Sequence, residues 1–186
     1  MLSALGKQLK LLAADPRNNF SSIIRQLTGP REAARYGQPL RRMILALPEM
    51  IAQLRSWSGR SGLPPRVRRM QAFTLSYLYD PIDFLSAKSP GLFRYLDDAY
   101  LIARIYQITL AKHGTADIKG QGSERNLAND VSQWITLTRR ILPKETAKIE
   151  ALLDEAARKR IDQTTAGPRR LSRRKRSRVL RPQNRG

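Results

Sequence analysis

Apolar residues along this chain recur at intervals of three and four, the spacing that lines one face of an α-helix. Leu2, Leu5, Leu9 and Leu12 form the first such face, with Lys7 and Lys10 outside it. Asp15-Pro16 closes that segment, because a residue that precedes proline avoids the α region. Phe20 to Leu27 is a short apolar segment closed by Gly29-Pro30. A second amphipathic helix is expected from near Pro39 to residue 55. Its apolar positions are Leu40, Met43, Ile44, Leu47, Ile51 and Leu54, decorated by Arg41, Arg42 and Arg55. Pro48 lies inside this pattern, which predicts a kink or a junction of two helices there.

Ser56 to Pro65 reads as a loop, from its serines, glycines and prolines. Val67, Met70, Phe73 or Thr74, Tyr77 and Leu78 restore helical spacing, and Asp80-Pro81 breaks it. Asp80 suits an N-cap, Pro81 a first helical position and Asp83 a first turn. A loop around Ser89-Pro90-Gly91 precedes Tyr95 to Lys112, which is apolar on most sides and therefore expected at the centre. His113-Gly114 is a stop signal. Thr115 to Gly122 is polar, and Ser123 is a candidate N-cap for a helix through Leu127, Val131, Trp134, Ile135, Thr138, Ile141 and Leu142. Pro143 ends that helix and opens the next, from Lys144 to about Asp162. The last helix buries Ile149, Leu152, Leu153, Ala156 and Ile161 and turns a mixed-charge face to solvent.

No stretch alternates apolar and polar residues as a half-buried strand does. The expected fold is all-α: a single helical domain of about six or seven helices with a disordered basic C-terminal tail. Along the chain this gives basic N-terminal helices (1–65), a helical core (66–166) and an Arg-rich tail (167–186). Aromatic residues mark the centre of the core. Of the twelve in the chain, eight fall between Met70 and Lys112, and such side chains bury large areas.

Charge changes the picture. The 186-residue chain has 35 Lys/Arg against 15 Asp/Glu, a net +20. Such an excess favours polyanionic partners, nucleic acid or an anionic membrane surface. It is uneven: residues 1–65 carry ten Lys/Arg and three acids, and residues 168–186 carry nine Lys/Arg and no acid. No apolar run approaches the roughly 18 residues of a spanning helix. Residues 1–42, basic and acid-poor, resemble an organellar transit peptide in composition; an amphipathic first helix is the simpler reading. The absence of cysteine excludes disulfides and thiolate metal sites and fits a reducing, cytoplasmic setting. A single histidine, His113, leaves no histidine cluster for a metal.

From Tyr77 to Asp98 the chain resembles the bacterial YkvA-like family, a domain of unknown function. The shared elements are Tyr77-Leu78-Tyr79, then Pro81-Ile82-Asp83, then Leu96-Asp97-Asp98. The family continues its Pro-Ile-Asp with an apolar pair and then Pro-Asp. Here Phe84-Leu85 lead into Ser86-Ala87, so a proline and a carboxylate are missing. The resemblance covers about residues 70–112 and implies a helical core with no established activity.

Asp80, Asp83, Asp97 and Asp98 are the one candidate site for divalent-metal or acid/base chemistry, since Mg²⁺ and Ca²⁺ take oxygen ligands. The competing reading is helix capping, with ion pairs to Arg94, Arg104, Arg68 or Arg69. Aspartate's preference for N-caps and first turns favours capping, and no nucleophile or base accompanies the four. A non-enzymatic protein without cofactor or bound metal is the expectation. His113 reads as a helix-terminal residue and Trp134 as core. Trp57, in a Gly/Ser loop, reads as a residue that stacks on a base or enters a membrane interface.

The tail carries Arg169, Arg170, Arg173, Arg174, Lys175, Arg176, Arg178, Arg181 and Arg185. Extended, its nineteen residues reach on the order of 60 Å. Arginine's planar fork suits bidentate phosphate contacts, which favours nucleic acid or a ribonucleoprotein as partner. Ser172, after Arg169-Arg170-Leu171, suits a basophilic kinase, and phosphorylation there would weaken binding to any polyanion. The alternative is a peripheral membrane protein whose helices 2–14 and 39–55 lie on an anionic leaflet. The two readings differ in where Leu5, Leu9 and Leu12 point: inward for the first, outward for the second.

Overall fold

A computed structural model of the chain describes residues 2–58, 62–77, 85, 89–113 and 122–159. The described residues are all-α: eight helices, a short 3-10 turn and no strand. In order they are α1 (Leu2–Ala14), α2 (Phe20–Thr28), α3 (Pro30–Leu45), α4 (Leu47–Ser58), α5 (Pro65–Tyr77), the 3-10 turn Gly91–Tyr95, α6 (Leu96–His113), α7 (Gly122–Ile141) and α8 (Pro143–Arg158).

The first apolar face packs as its spacing predicts. Leu9 is fully buried, and Leu2, Leu5 and Leu12 lie partly buried against the core. Helix α1 rests on α3, α4 and the 3-10 turn. The solvent side keeps Leu11, 72% exposed. Asn18 closes the end of α1. Its Nδ2 donates to the Leu12 carbonyl at 2.9 Å, and its Oδ1 accepts the Phe20 N–H at 3.0 Å.

Two boundaries differ from the apolar pattern. The helix expected from near Pro39 begins at Pro30 and runs through Pro39. Gly29, at φ +82°, ends α2 in a conformation that glycine adopts freely, and Pro30 opens α3. The segment Arg31–Gln38 is mostly polar, so apolar spacing does not reveal it, although its alanines, arginines and glutamate are good helix formers. The expected junction near Pro48 is present: α3 ends at Leu45 and α4 begins at Leu47, with Pro48 in its first turn. Helix α4 then continues through Ser58, which moves Trp57 from the expected loop into the core. Its ring lies 5.1 Å from that of Tyr106.

Helix α6 is the axis of the fold and touches α3, α4, α5, α7 and α8. Leu96, Ala99 to Ala103, Ile105 and Tyr106 are all buried. Pro143 opens α8 as the sequence suggests, with Leu142 at the N-cap position and no side-chain capping bond, but α8 ends at Arg158, short of Asp162. On α5 it is Thr74, not Phe73, that faces fully inward. Ile161, Leu78 and the Arg-rich C-terminal segment lie outside the described residues, as does the side chain of Ser123.

Because Leu9 has no solvent contact, Leu9→Ala is expected to cost about 2–5 kcal/mol. The control Leu11→Ala, on the exposed side of the same helix, should stay within about 0.5 kcal/mol. Urea denaturation of both variants checks whether α1 is part of the cooperative unit.

Candidate polyanion interface

Helices α2 and α3 pack against each other across the Gly29 turn. Ser21, Arg25, Ala33, Ala34, Gly37, Gln38 and Arg41 line the groove between them. A Cβ added at Gly37 would meet nothing within 4 Å, so the groove is open there. Arg41 is anchored by donating to the Ala13 carbonyl at 2.6 Å, where it also complements the negative end of α1. On the other flank of α3, a second groove is lined by Arg35, Ser132, Gln133, Thr136, Leu137 and Arg140, the last five from α7. Arg140 lies beside the Tyr36 hydroxyl, and this interaction, with a weaker pull from Glu32, raises the pKa of the guanidinium.

Arg31 and Arg35 stand one helical turn apart on α3, about 6 Å along its axis. Lys7, Lys10, Arg17, Arg25, Arg31 and Arg35 are exposed, and none makes an ion pair with another described residue. The pairs that do form take their acids from the C-terminal helices: Arg42–Asp130, Arg66–Asp154, and Arg104 and Arg139 with Glu150. The basic face of α2 and α3 was legible in part, since the charge of residues 1–65 is plain in the sequence. Its continuation onto Arg140 was not, because α3 and α7 lie far apart in the chain.

The most connected charged group is Glu150 on α8. Its Oε1 accepts the Tyr100 hydroxyl at 2.6 Å, Arg139 at 2.7 Å and Arg104 Nε at 2.9 Å. Arg139 Nε also donates to the Tyr100 oxygen at 2.9 Å. Burial alone raises the Glu150 carboxyl, but the hydrogen bonds from Tyr100 and Arg139, with the Arg104 charge, outweigh it and hold the group below its ordinary 4.5. The phenol of Tyr100 moves the other way. Burial and the bond to Glu150 push it up to about 12. The sequence assigned Glu150 to a solvated mixed-charge face. The structure instead makes it the pin that joins α6, α7 and α8.

The four aspartates divide. Asp80 and Asp83 lie outside the described residues, together with the Pro81-Ile82-Asp83 element. Asp97 and Asp98 occupy the first turn of α6, in the Leu96-Asp97-Asp98 element. Asp97 is buried; its Oδ2 accepts the Leu85 N–H at 2.9 Å and its Oδ1 the Asp98 N–H at 3.0 Å. These bonds are structural. The arginines considered as partners of the aspartates are engaged elsewhere: Arg104 with Glu150, Arg69 with the Ala157 carbonyl, and Arg94 over the Tyr95 ring. Arg68 makes no ion pair among the described residues. Among those residues no group of three or more His, Cys, Asp or Glu is placed to hold a metal. The side chain of His113, and the tail residues Arg169 to Arg185, lie outside the described set. No helix of the described residues is long and apolar enough to cross a membrane. Comparison of the chain with family models, curated proteins and solved structures finds no match.

Glu150→Gln is expected to lower stability by about 2 kcal/mol, between the surface and buried limits for an ion pair. The loss has a defined pH dependence. With a lowered folded pKa, Glu150 contributes fully above the ordinary value of 4.5, and the contribution disappears as pH falls through the folded value. Stability curves of wild type and Glu150→Gln should therefore converge in acid. At the alkaline end the sign reverses. Tyr100 stabilises fully below 10.0, and its contribution fades as pH rises from there through about 12. Tyr100→Phe should remove that alkaline loss, as read by denaturant melts between pH 9 and 12.

Proposed function

We propose that this chain is a non-enzymatic helical interaction protein that contacts a nucleic acid or ribonucleoprotein assembly through its Arg-rich C-terminal segment. The helices act as the scaffold that carries this segment and presents a surface to protein partners. The observation that carries the reading is the distribution of charge: nine Lys/Arg and no acid in residues 168–186, eight of the nine being arginine. Such a density is costly self-repulsion unless a polyanion neutralises it.

Support also comes from the packing. The apolar faces of α1 and of residues 40–54 are used in the core: Leu9, Leu40, Met43, Ile44, Leu47, Ile51 and Leu54 are buried. A helix that lies on a leaflet needs that face free. Leu11 and Leu27 are the large apolar side chains exposed among the described residues, and they do not form a stripe on one helix. The hydrogen bonds that Asp97 accepts from the Leu85 and Asp98 N–H groups likewise weigh against an enzyme built on the aspartates.

The test is a variant in which all nine cations of residues 168–186 become glutamine. Its affinity for nucleic acid should fall. Its log–log salt slope should flatten by up to about 8, at about 0.9 per phosphate contact on duplex DNA. Binding that is unchanged in both respects overturns the proposal. Fluorescence anisotropy across a salt series reads both quantities.

A further inference from the structure

We infer that the folded body supplies a second phosphate contact, centred on α3, and that its ligand is the backbone of a double-stranded nucleic acid. The inference rests on the polyanion reading above and adds to it a site and a strandedness. Helix α3 is an exposed ridge with cations on both flanks. Arg25 and Arg41 border the groove on the α2 side. Arg35 and Arg140 border the groove on the α7 side. With side chains a helix is about 10–12 Å across, so the two flanks lie roughly that far apart. Arg31 extends the line by one turn. The uncharged groups between these cations include hydrogen-bonding ones, Ser21 and Gln38 on one side and Ser132, Gln133 and Thr136 on the other, beside the small or apolar Ala33, Ala34, Gly37 and Leu137. Arginine, hydroxyl and amide groups are the usual donors to phosphate and sugar oxygens.

Two features select a duplex over a single strand. Sequence-tolerant single-strand binding depends on aromatic side chains that stack on splayed bases. Among the described residues every aromatic ring is buried or half-buried, and Tyr36 of α3 and Trp134 of α7 are both core. One of the cations, Arg41, is also held in place by the Ala13 carbonyl, and the others are carried on the flanks of packed helices. A fixed, two-sided array suits two rigid backbones better than one flexible strand. Binding of this type carries no base information, so it should be indifferent to sequence.

The experiment uses the full chain and the triple variant Arg25→Gln, Arg31→Gln and Arg35→Gln. These three side chains are exposed and make no ion pair among the described residues, so the thermal melt should not move. The probes are a labelled 20-base-pair DNA duplex, the same duplex as RNA, one of its single strands, and vesicles containing phosphatidylserine. Wild type should bind either duplex more tightly than the single strand. The triple variant should flatten the log–log salt slope on the duplex by about 2.7, at about 0.9 per contact. Arg25→Lys, Arg31→Lys and Arg35→Lys together should retain most of the slope, because the charge is kept. An unchanged slope in the glutamine variant, with binding lost in the tail variant, overturns this inference and leaves the tail proposal standing. Preference for the single strand, or a loss seen only on vesicles, also overturns it. Failure of wild type to bind any nucleic acid overturns both.

Discussion

The structure depends on one constraint: α6 is buried along most of its length, so every polar group it carries inward must be matched by a neighbour. Leaving a buried donor or acceptor unmatched costs about 1–3 kcal/mol. Three helices meet the demand. Gln53 of α4 accepts the Tyr106 hydroxyl at 2.6 Å, Gln71 of α5 donates to Thr109 at 3.0 Å, and Glu150 of α8 accepts the Tyr100 hydroxyl. Each bond fixes the rotation of one neighbour about the central helix. The matching is incomplete on α5, where Gln71 Oε1 and Thr74 Oγ1 are buried with no hydrogen-bond partner. A core of leucines alone would have been satisfied by many rotations; the polar contacts select one.

The same arrangement explains why the basic charge is left on one side of the molecule. The acids of α7 and α8 (Asp130, Glu150, Asp154) are spent on Arg42, Arg104, Arg139 and Arg66. Three of those four pairs join helices distant in sequence, and the fourth, Arg139–Glu150, ties α7 to α8. Little acid remains for the N-terminal third, where Asp15 bonds to the Arg17 backbone and Glu32 lies near Arg140. Arg25, Arg31 and Arg35 of α2 and α3 therefore make no ion pair among the described residues. The separation of the paired arginines around α7 and α8 from the unpaired Arg25, Arg31 and Arg35 follows from where the carboxylates are needed to hold the helices.

Periodicity made the helical class, the leucine face of α1, the central place of residues 95–112 and the Pro143 junction readable from the sequence. Each rests on a local signal: spacing, proline or apolar density. What was not readable rests on long-range contact. Glu150 sits among lysines and glutamates in the sequence, and only the packing of α8 on α6 and α7 turns it from a surface charge into a shared acceptor. Trp57 follows a serine and precedes a serine and glycine, a loop signal, yet the ring of Tyr106 and the cover of α6 hold the helix together past it. Polar helices are the other blind spot. The first half of α3 has no apolar stripe to detect, and that half carries Arg31 and Arg35.

The charge problem links the proposed roles of tail and body. Bringing nine further cations close to a face that already holds Arg25, Arg31 and Arg35 is unfavourable, and the repulsion is screened only beyond a Debye length of about 8 Å at physiological salt. A polyanion reverses the sign of that interaction: one duplex bound at both places neutralises both and lets them approach. On this reading the tail and the α3 face act as two linked modules. The second contact forms at the effective concentration set by the connecting segment, so avidity exceeds either contact alone. Mutual repulsion in the free protein and joint attraction in the complex are then two consequences of one charge distribution.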